Sequence, residues 1–253
     1  MPKSDEVLRS LLRYDVACLS ELEPTAPHYA LTDQAEDALP LFQEAEQSST
    51  SSIRLVGFDE AGRGALAGPV AVGCVSFARE DCNSPELLDL LAGLNDSKQV
   101  SPGNRERLYQ TIFSRADASV GFASAHEVDS VGIVPACRLA ALRALGKLAS
   151  THLIGMALFD RGLCLDPQEG AVALPSREIT KGDSTSMHVA AASILAKVAR
   201  DRLMEHLDAE FPGYNLGKHK GYGTAAHREA IQQLGPTPIH RRSFLKTLLR
   251  DQG

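Results

Sequence analysis

The chain has 253 residues, 43% of them apolar and 23% charged, with 26 Lys+Arg against 32 Asp+Glu and a formal net charge of −6. These are ordinary values for a globular protein of one large or two small domains, and they exclude global disorder and collagen-like repeats. The longest nearly apolar stretch, Leu66 to Ala78, is interrupted by Gly and Pro and falls short of the ~20 residues of a membrane helix. Leucines alternate with Asp5, Glu6, Arg9, Arg13 and Asp15 near the start, unlike a secretory signal, so a cytoplasmic location is expected. The charge is polarised. Residues 1–50 hold 3 basic and 10 acidic side chains, whereas residues 179–253 hold 11 and 7 together with five of the eight histidines. The five cysteines form no C-x-x-C pair, which suggests neither a disulfide framework nor a zinc site.

In chain order, Leu8, Leu11, Leu12, Val16, Leu19 and Leu22 recur at helical spacing and predict one amphipathic helix. The polar run Gln43 to Ser52 reads as a linker. The piece before it is either an accessory substrate-binding element or a frayed tail. Ile53 to Phe58 and Val70 to Phe77 are strand candidates, with Gly57, Gly62, Gly64 and Gly68 marking tight turns around and between them. Ser101-Pro102 opens a helix, with Ser at the N-cap and Pro at N1. Ala118 to Ser124 predicts a strand, Pro135 to Leu148 a helix, and Ile154 to Phe159 a further strand. Ser186 to Phe211, Thr224 to Leu234 and Arg241 to Leu249 predict helices. Strands interleaved with helices give an α/β domain with a mixed sheet and a helical C-terminal part.

The acids are placed rather than scattered. Asp59 and Glu60 end one apolar strand, Asp160 ends another, and Asp183 stands just before the Ala-rich helix. Ligands in α/β folds gather beyond the carboxyl ends of strands. Asp59 and Glu60 point to opposite faces unless the strand breaks, which the Gly62–Gly64 turn allows. Converging carboxylates stay ionised together only around cations, and oxygen-only donors favour Mg²⁺ or Mn²⁺. Two such ions ~3.5–4 Å apart suit in-line attack on a phosphodiester. Taken singly, each acid is as well explained as a turn or cap residue. Basic and aromatic groups add direction: Lys98, Lys181, the block His219 to Thr224 around Tyr222, and His240-Arg241-Arg242.

Several ordered blocks together resemble the ribonuclease HII family. They are Gly57 to Val70, containing Gly62-Arg63-Gly64; Asn95 to Lys98; Lys181-Gly182-Asp183 with Ala190 to Leu203; Gly217 to Thr224; and Gly235 to Phe244. The similarity spans roughly residues 53–245. It implies a ribonuclease H-like fold and hydrolysis of the RNA strand of RNA–DNA hybrids. It also implies incision 5′ to single ribonucleotides in duplex DNA, leaving 5′-phosphate and 3′-hydroxyl ends. By motif match, Asp59, Glu60, Asp160 and Asp183 would be the catalytic, metal-binding acids for two Mg²⁺ or Mn²⁺ ions. Gly62, Arg63 and Gly64 would read the 2′-hydroxyl, Tyr222 would pack on the deoxyribose, and Lys98 and Lys181 would contact phosphates. The implied role is ribonucleotide and RNA-primer removal.

The motif around the third acid is altered, with Asp160-Arg161-Gly162 where the family has Asp-Gly-Asn; Asp166 is the nearest competitor. Met187-His188 stands where small or hydroxyl residues are usual. Residues 1–52 are read as an N-terminal extension and 53–253 as the catalytic domain. Alternatives are a transposase- or resolvase-like nuclease and a catalytically inactive hybrid-binding module. The expected partners are hybrid and ribonucleotide-containing duplex, with no membrane and no identifiable protein partner; a monomer is the default.

Overall fold

The computed structural model describes residues 3–22, 28–31, 42–45, 54–82, 84–149, 154–163, 165 and 174–250. The helices are α1 (Lys3–Glu21), α2 (Pro85–Leu90), α3 (Pro102–Arg115), α4 (Ala125–Val131), α5 (Ile133–Ala149), α6 (Met187–Glu210), α7 (Leu216–His219), α8 (Ala225–Leu234) and α9 (Lys246–Arg250). The strands are β1 (His28–Leu31), β2 (Phe42–Ala45), β3 (Arg54–Ala61), β4 (Val70–Ser76), β5 (Asp117–Ala123), β6 (Ile154–Asp160) and β7 (Ser176–Ile179). They form one mixed sheet in the order β2-β1-β6-β3-β4-β5, with β7 also on β6.

β3, β4 and β5 form an antiparallel meander, and β6 runs parallel to β3 on its other side. In the β3–β6 register Phe58 lies opposite Phe159, and their rings stack with centroids 4.7 Å apart. The next residues along these two strands are Asp59 and Asp160, so the sheet itself brings two acids side by side. β4 is buried along its whole length, as the central strand of a sheet covered on both faces must be.

α6 covers β3 and β4 on one face, and α5 covers β4 and β5 on the other. Both approaches are backbone to backbone. A Cβ on Gly73 would lie 2.2 Å from the Ala192 carbonyl oxygen, and one on Gly121 would lie 2.0 Å from that of Ala140. Glycine in a strand and alanine in the facing helix let the two main chains meet without side chains between them. α1 packs in the same apolar cluster as Leu55, Val75 and Ile194, through Leu8, Leu11, Leu12 and Leu19, and Leu22 just past its end joins them. A separate small cluster in the C-terminal part unites Met204, Tyr214, Leu216, Ile231 and Leu245 with Ala67 from the glycine-rich loop.

Three sequence expectations are corrected. β3 does not end at Phe58; Asp59, Glu60 and Ala61 stay paired with Gly73, Val72 and Ala71, so the strand carries both acids. Gln43 to Ala45 is not linker but the end of β2, which an edge pairing of main-chain groups with β1 sustains without an apolar pattern; residues 46–52 lie outside the described residues. The helix expected over Arg241 to Leu249 is divided into a 3-10 turn at Arg242–Phe244 and α9. The Asp129 carboxylate caps the start of that turn, accepting from the Arg242 and Ser243 amides at 2.8 and 2.9 Å and also from the Ser243 hydroxyl.

The glycine contacts make a paired prediction. Gly73→Ala is expected to lose about 1–3 kcal/mol of stability through overpacking against α6. Gly64→Ala, where a Cβ meets nothing within 4 Å, is expected to leave the thermal midpoint unchanged. Calorimetric melting of the two variants checks this.

Candidate active site

Asp59 is buried, and one of its oxygens, Oδ1, accepts from the Glu60 amide at 2.8 Å. The strand does not break, and alternation turns Asp59 toward α6 and Glu60 toward α5; at the strand ends both carboxylates nevertheless lie close enough to Asp160 to feel its charge. On the neighbouring strand end, Asp160 Oδ1 accepts from the Gly182 amide at 2.8 Å. Lys181 adopts the left-handed conformation (φ 56°) and reverses the chain there. Gly182 then fits closely against Asp160, where a Cβ would lie 3.3 Å from the Asp160 Cα. Asp183 follows in a 3-10 turn at the entrance of α6. That single hydrogen bond ties the end of β6 to the acid ahead of the helix.

The acids perturb one another. Burial pushes the Asp59 carboxyl well above its ordinary range, and the charges of Glu60, Asp160 and Asp183 add to this. Burial also raises Glu60, against the pull of Arg63, whose Nη1 stands 3.4 Å from Glu60 Oε1. Asp183 is pushed up to about 6 by burial, then by Asp96 and Asp160. The donor set fits a hard divalent cation in kind. It is all oxygen, and Glu60 Oε2 is buried with no hydrogen-bond partner among the described residues. Among the described residues no three His, Cys, Asp or Glu side chains are gathered closely enough to form a closed metal cage.

Beside the acids, a loop of glycines is held by two buried arginines. Arg200 of α6 donates to the carbonyls of Pro69, Ala67 and Lys220 at 2.8, 3.0 and 2.8 Å. Arg241 donates to the carbonyls of Gly68 and Arg63 at 3.0 and 2.9 Å. The amides of Leu66 and Ala67 donate to the Gly221 carbonyl. The loop is thereby fastened to the turn bearing Tyr222, an exposed ring with the Arg200 guanidinium 5.5 Å from its centroid. Beneath that turn, His227 meets the Tyr222 carbonyl at 3.0 Å and His240 at 3.2 Å. Burial pushes both histidines down to about 4, so they are neutral near pH 7.

The ribonuclease HII family model matches residues 56–247. The chain belongs to the ribonuclease HII family. A ribonuclease HII of Syntrophotalea carbinolica is 46% identical over 211 residues, covering 83% of this chain and 94% of that protein. Among solved structures, ribonuclease H2 of Pyrococcus horikoshii matches with a TM-score of 0.56 and 26% identity, covering 79% of this chain and 98% of that one. RNase HII of Archaeoglobus fulgidus, solved in complex with PCNA, matches with a TM-score of 0.58 and 27% identity, covering 75% and 94%. The chain is thus a ribonuclease H, a hydrolase of a divalent-metal-dependent nuclease family with a ribonuclease H-like fold. Among the described residues no helix is long and apolar enough to cross a membrane.

In this ribonuclease HII fold Asp59, Glu60, Asp160 and Asp183 come within electrostatic reach of one another. Lys98, exposed, lies near enough to Asp183 to offset its raised pKa. Lys181 is exposed on the turn before Asp183. Gly62, at φ 87°, faces inward, where a Cβ would strike Arg200, whereas Gly64 faces open space. Arg63 braces the site by bonding Glu60 and the Gly162 carbonyl. Asp166 lies outside the described residues. Sequence reading placed Asp96, Arg200 and Arg241 within motif blocks but gave them no role here; in the structure Asp96 helps raise Asp183, and the two arginines hold the glycine loop. A buried arginine bonded to carbonyls looks, in sequence, like any surface arginine.

A raised carboxyl pKa means the ionised form costs stability near pH 7, and that cost fades as pH falls through the raised value. Asp59→Asn is therefore expected to raise the melting temperature of the metal-free protein, by about 2–4 °C for each kcal/mol of relieved strain. Melting at pH 7.5 in chelator checks it, and the gain should shrink on acidification.

Proposed function

We propose that the chain cuts the RNA strand of RNA–DNA hybrids and incises 5′ to single ribonucleotides in duplex DNA, leaving 5′-phosphate and 3′-hydroxyl ends, in ribonucleotide and primer removal. The observation that carries this reading is the pairing of the carboxylate cluster with a glycine loop whose outer face is open at Gly64. A 2′-hydroxyl is both donor and acceptor, and it alone separates RNA from DNA at a given position. A backbone stripped of side chains can approach it, while Arg200 and Arg241 keep that backbone from yielding.

Asp59, Glu60, Asp160 and Asp183 would hold two divalent cations, Mg²⁺ or Mn²⁺, at the scissile phosphate. When bound, such cations activate the attacking water and neutralise the charge that develops on the leaving oxygen. Asp160, through Gly182, would keep Asp183 aligned with the strand ends. Gly62, Arg63 and Gly64 would read the 2′-hydroxyl through main-chain groups. Tyr222 would stack on the sugar of the next nucleotide, and its contact with Arg200 supports a fixed ring orientation. Lys98 and Lys181 would contact flanking phosphates. Cys137, near Glu60, is pushed up to about 12 by burial and stays a thiol near pH 7.

A labelled duplex with one ribonucleotide tests the reading. Cleavage is expected 5′ to the ribonucleotide with Mg²⁺ or Mn²⁺ and not in chelator, with losses of ~10³-fold or more in Asp59→Ala and Asp183→Ala. Gly64→Ala should lower cleavage without lowering stability. Binding without cleavage by the unaltered protein would reject the enzyme reading, and equal cutting of all-DNA duplex would favour a transposase-like nuclease.

A further inference from the structure

Asp15 and His188 are both fully buried, and neither belongs to the carboxylate cluster or the glycine loop. Asp15 lies on α1, outside the segment matched by the family model. Its Oδ2 accepts from the His188 amide at 3.0 Å and lies 2.7 Å from His188 Nδ1. The other ring nitrogen, Nε2, accepts from the Phe77 amide at 3.1 Å, just beyond β4. An acceptor on one side and a donor on the other select the Nδ1–H tautomer.

His188 is in the first turn of α6, after the N-cap Ser186, whose hydroxyl takes the Val189 amide. The first amides of a helix have no partner within it. Asp15 supplies one from 173 residues away. The same turn is where the catalytic segments meet. A Cβ on Gly57 would lie 2.4 Å from the His188 carbonyl carbon and 2.6 Å from the Val189 amide, and β3 reaches Asp59 two residues later. A Cβ on Gly182 would lie 3.1 Å from Val189 Cγ1, and the Gly182 amide holds Asp160. Asp15 Oδ1 has no hydrogen-bond partner among the described residues. Its surroundings also include Cys82 and Arg54, whose thiol and guanidinium share its electrostatic environment. A half-satisfied buried carboxylate is a poor device for stability alone, because an apolar residue would serve better.

We propose that Asp15 is a positioning residue for the carboxylate centre. It fastens the first turn of α6 against β3, so that Asp59, Asp160 and Asp183 face one another at the spacing the chemistry needs. α1 is then part of the catalytic unit, neither a tail nor an accessory for substrate binding. The proposal rests on the nuclease reading above, since misplacement by about 1 Å can cost ~100-fold in rate.

The test compares the full chain with Asp15→Ala and Asp15→Asn, in steady-state cleavage of the single-ribonucleotide duplex and in Mn²⁺ titration by calorimetry. Asp15→Ala is expected to lower kcat about tenfold or more with KM within about twofold, and to weaken Mn²⁺ binding at least about fivefold. Asp15→Asn keeps an oxygen acceptor for both His188 donors and should stay within about threefold of the unaltered kcat. If Asp15→Ala does not fold, the paired Asp15→Val/His188→Leu variant removes the couple without stranding a charge, and the same kcat loss is expected. A raised KM with unchanged kcat would overturn the proposal in favour of a substrate-binding accessory. A lower melting temperature with unchanged kcat and Mn²⁺ affinity would overturn it in favour of a purely structural pair. If the unaltered chain does not cleave, the nuclease reading fails by itself; the Mn²⁺ titration then decides the positioning claim, and equal affinities would reject it.

Discussion

Carboxylates crowded at one end of a sheet repel one another, and holding them there is the constraint around which this molecule is arranged. β3 and β6 run parallel and in register, so Asp59 and Asp160 must end side by side. Burial and mutual charge then raise Asp59, Glu60 and Asp183 above ordinary carboxylate behaviour. Left without cations, the cluster opposes folding.

The rest of the fold supplies the stiffness that such a cluster needs. Glycines 57, 73 and 121 let helices lie directly on the sheet, so α6 and α5 transmit little play to the strand ends. The Gly182 amide couples the β6 terminus to Asp183. Two arginines without a carboxylate partner in their hydrogen bonds spend their donors on loop carbonyls instead, and this links the glycine loop to Tyr222. The glycine loop, Tyr222 and the carboxylate cluster are therefore mounted on one frame. The overall charge of −6 hides this arrangement, because ten acids lie in the first 50 residues and the basic surplus lies in the C-terminal third, beside the loop.

Much of that frame was legible in the sequence. The apolar runs of β3, β4 and β6, the Ser101-Pro102 start of α3 and the Ala-rich α6 all carry local signals, and the acids at their ends were visible as a set. Other features were not, for physical reasons. β1 and β2 are paired through main-chain groups, which leave no apolar pattern to read. The start of the Arg242–Phe244 turn is capped by Asp129, a partner too far off in sequence to be read locally. The glycines of the loop read alike, yet Gly62 and Gly68 have positive φ and are packed against Arg200 and Met204, and Gly64 alone faces open space. His188 looked like a departure from its motif; its partner, Asp15, lies in a segment that carries no family signal.

The central claim is that these four acids form one cation site. Calorimetric titration of the intact chain with Mn²⁺, beside Asp59→Asn and Asp183→Asn, tests it most directly. The account predicts binding of about two ions to the unaltered chain, lost or reduced to weak residual binding in either variant. No binding to the unaltered chain, or equal binding by all three proteins, would contradict it.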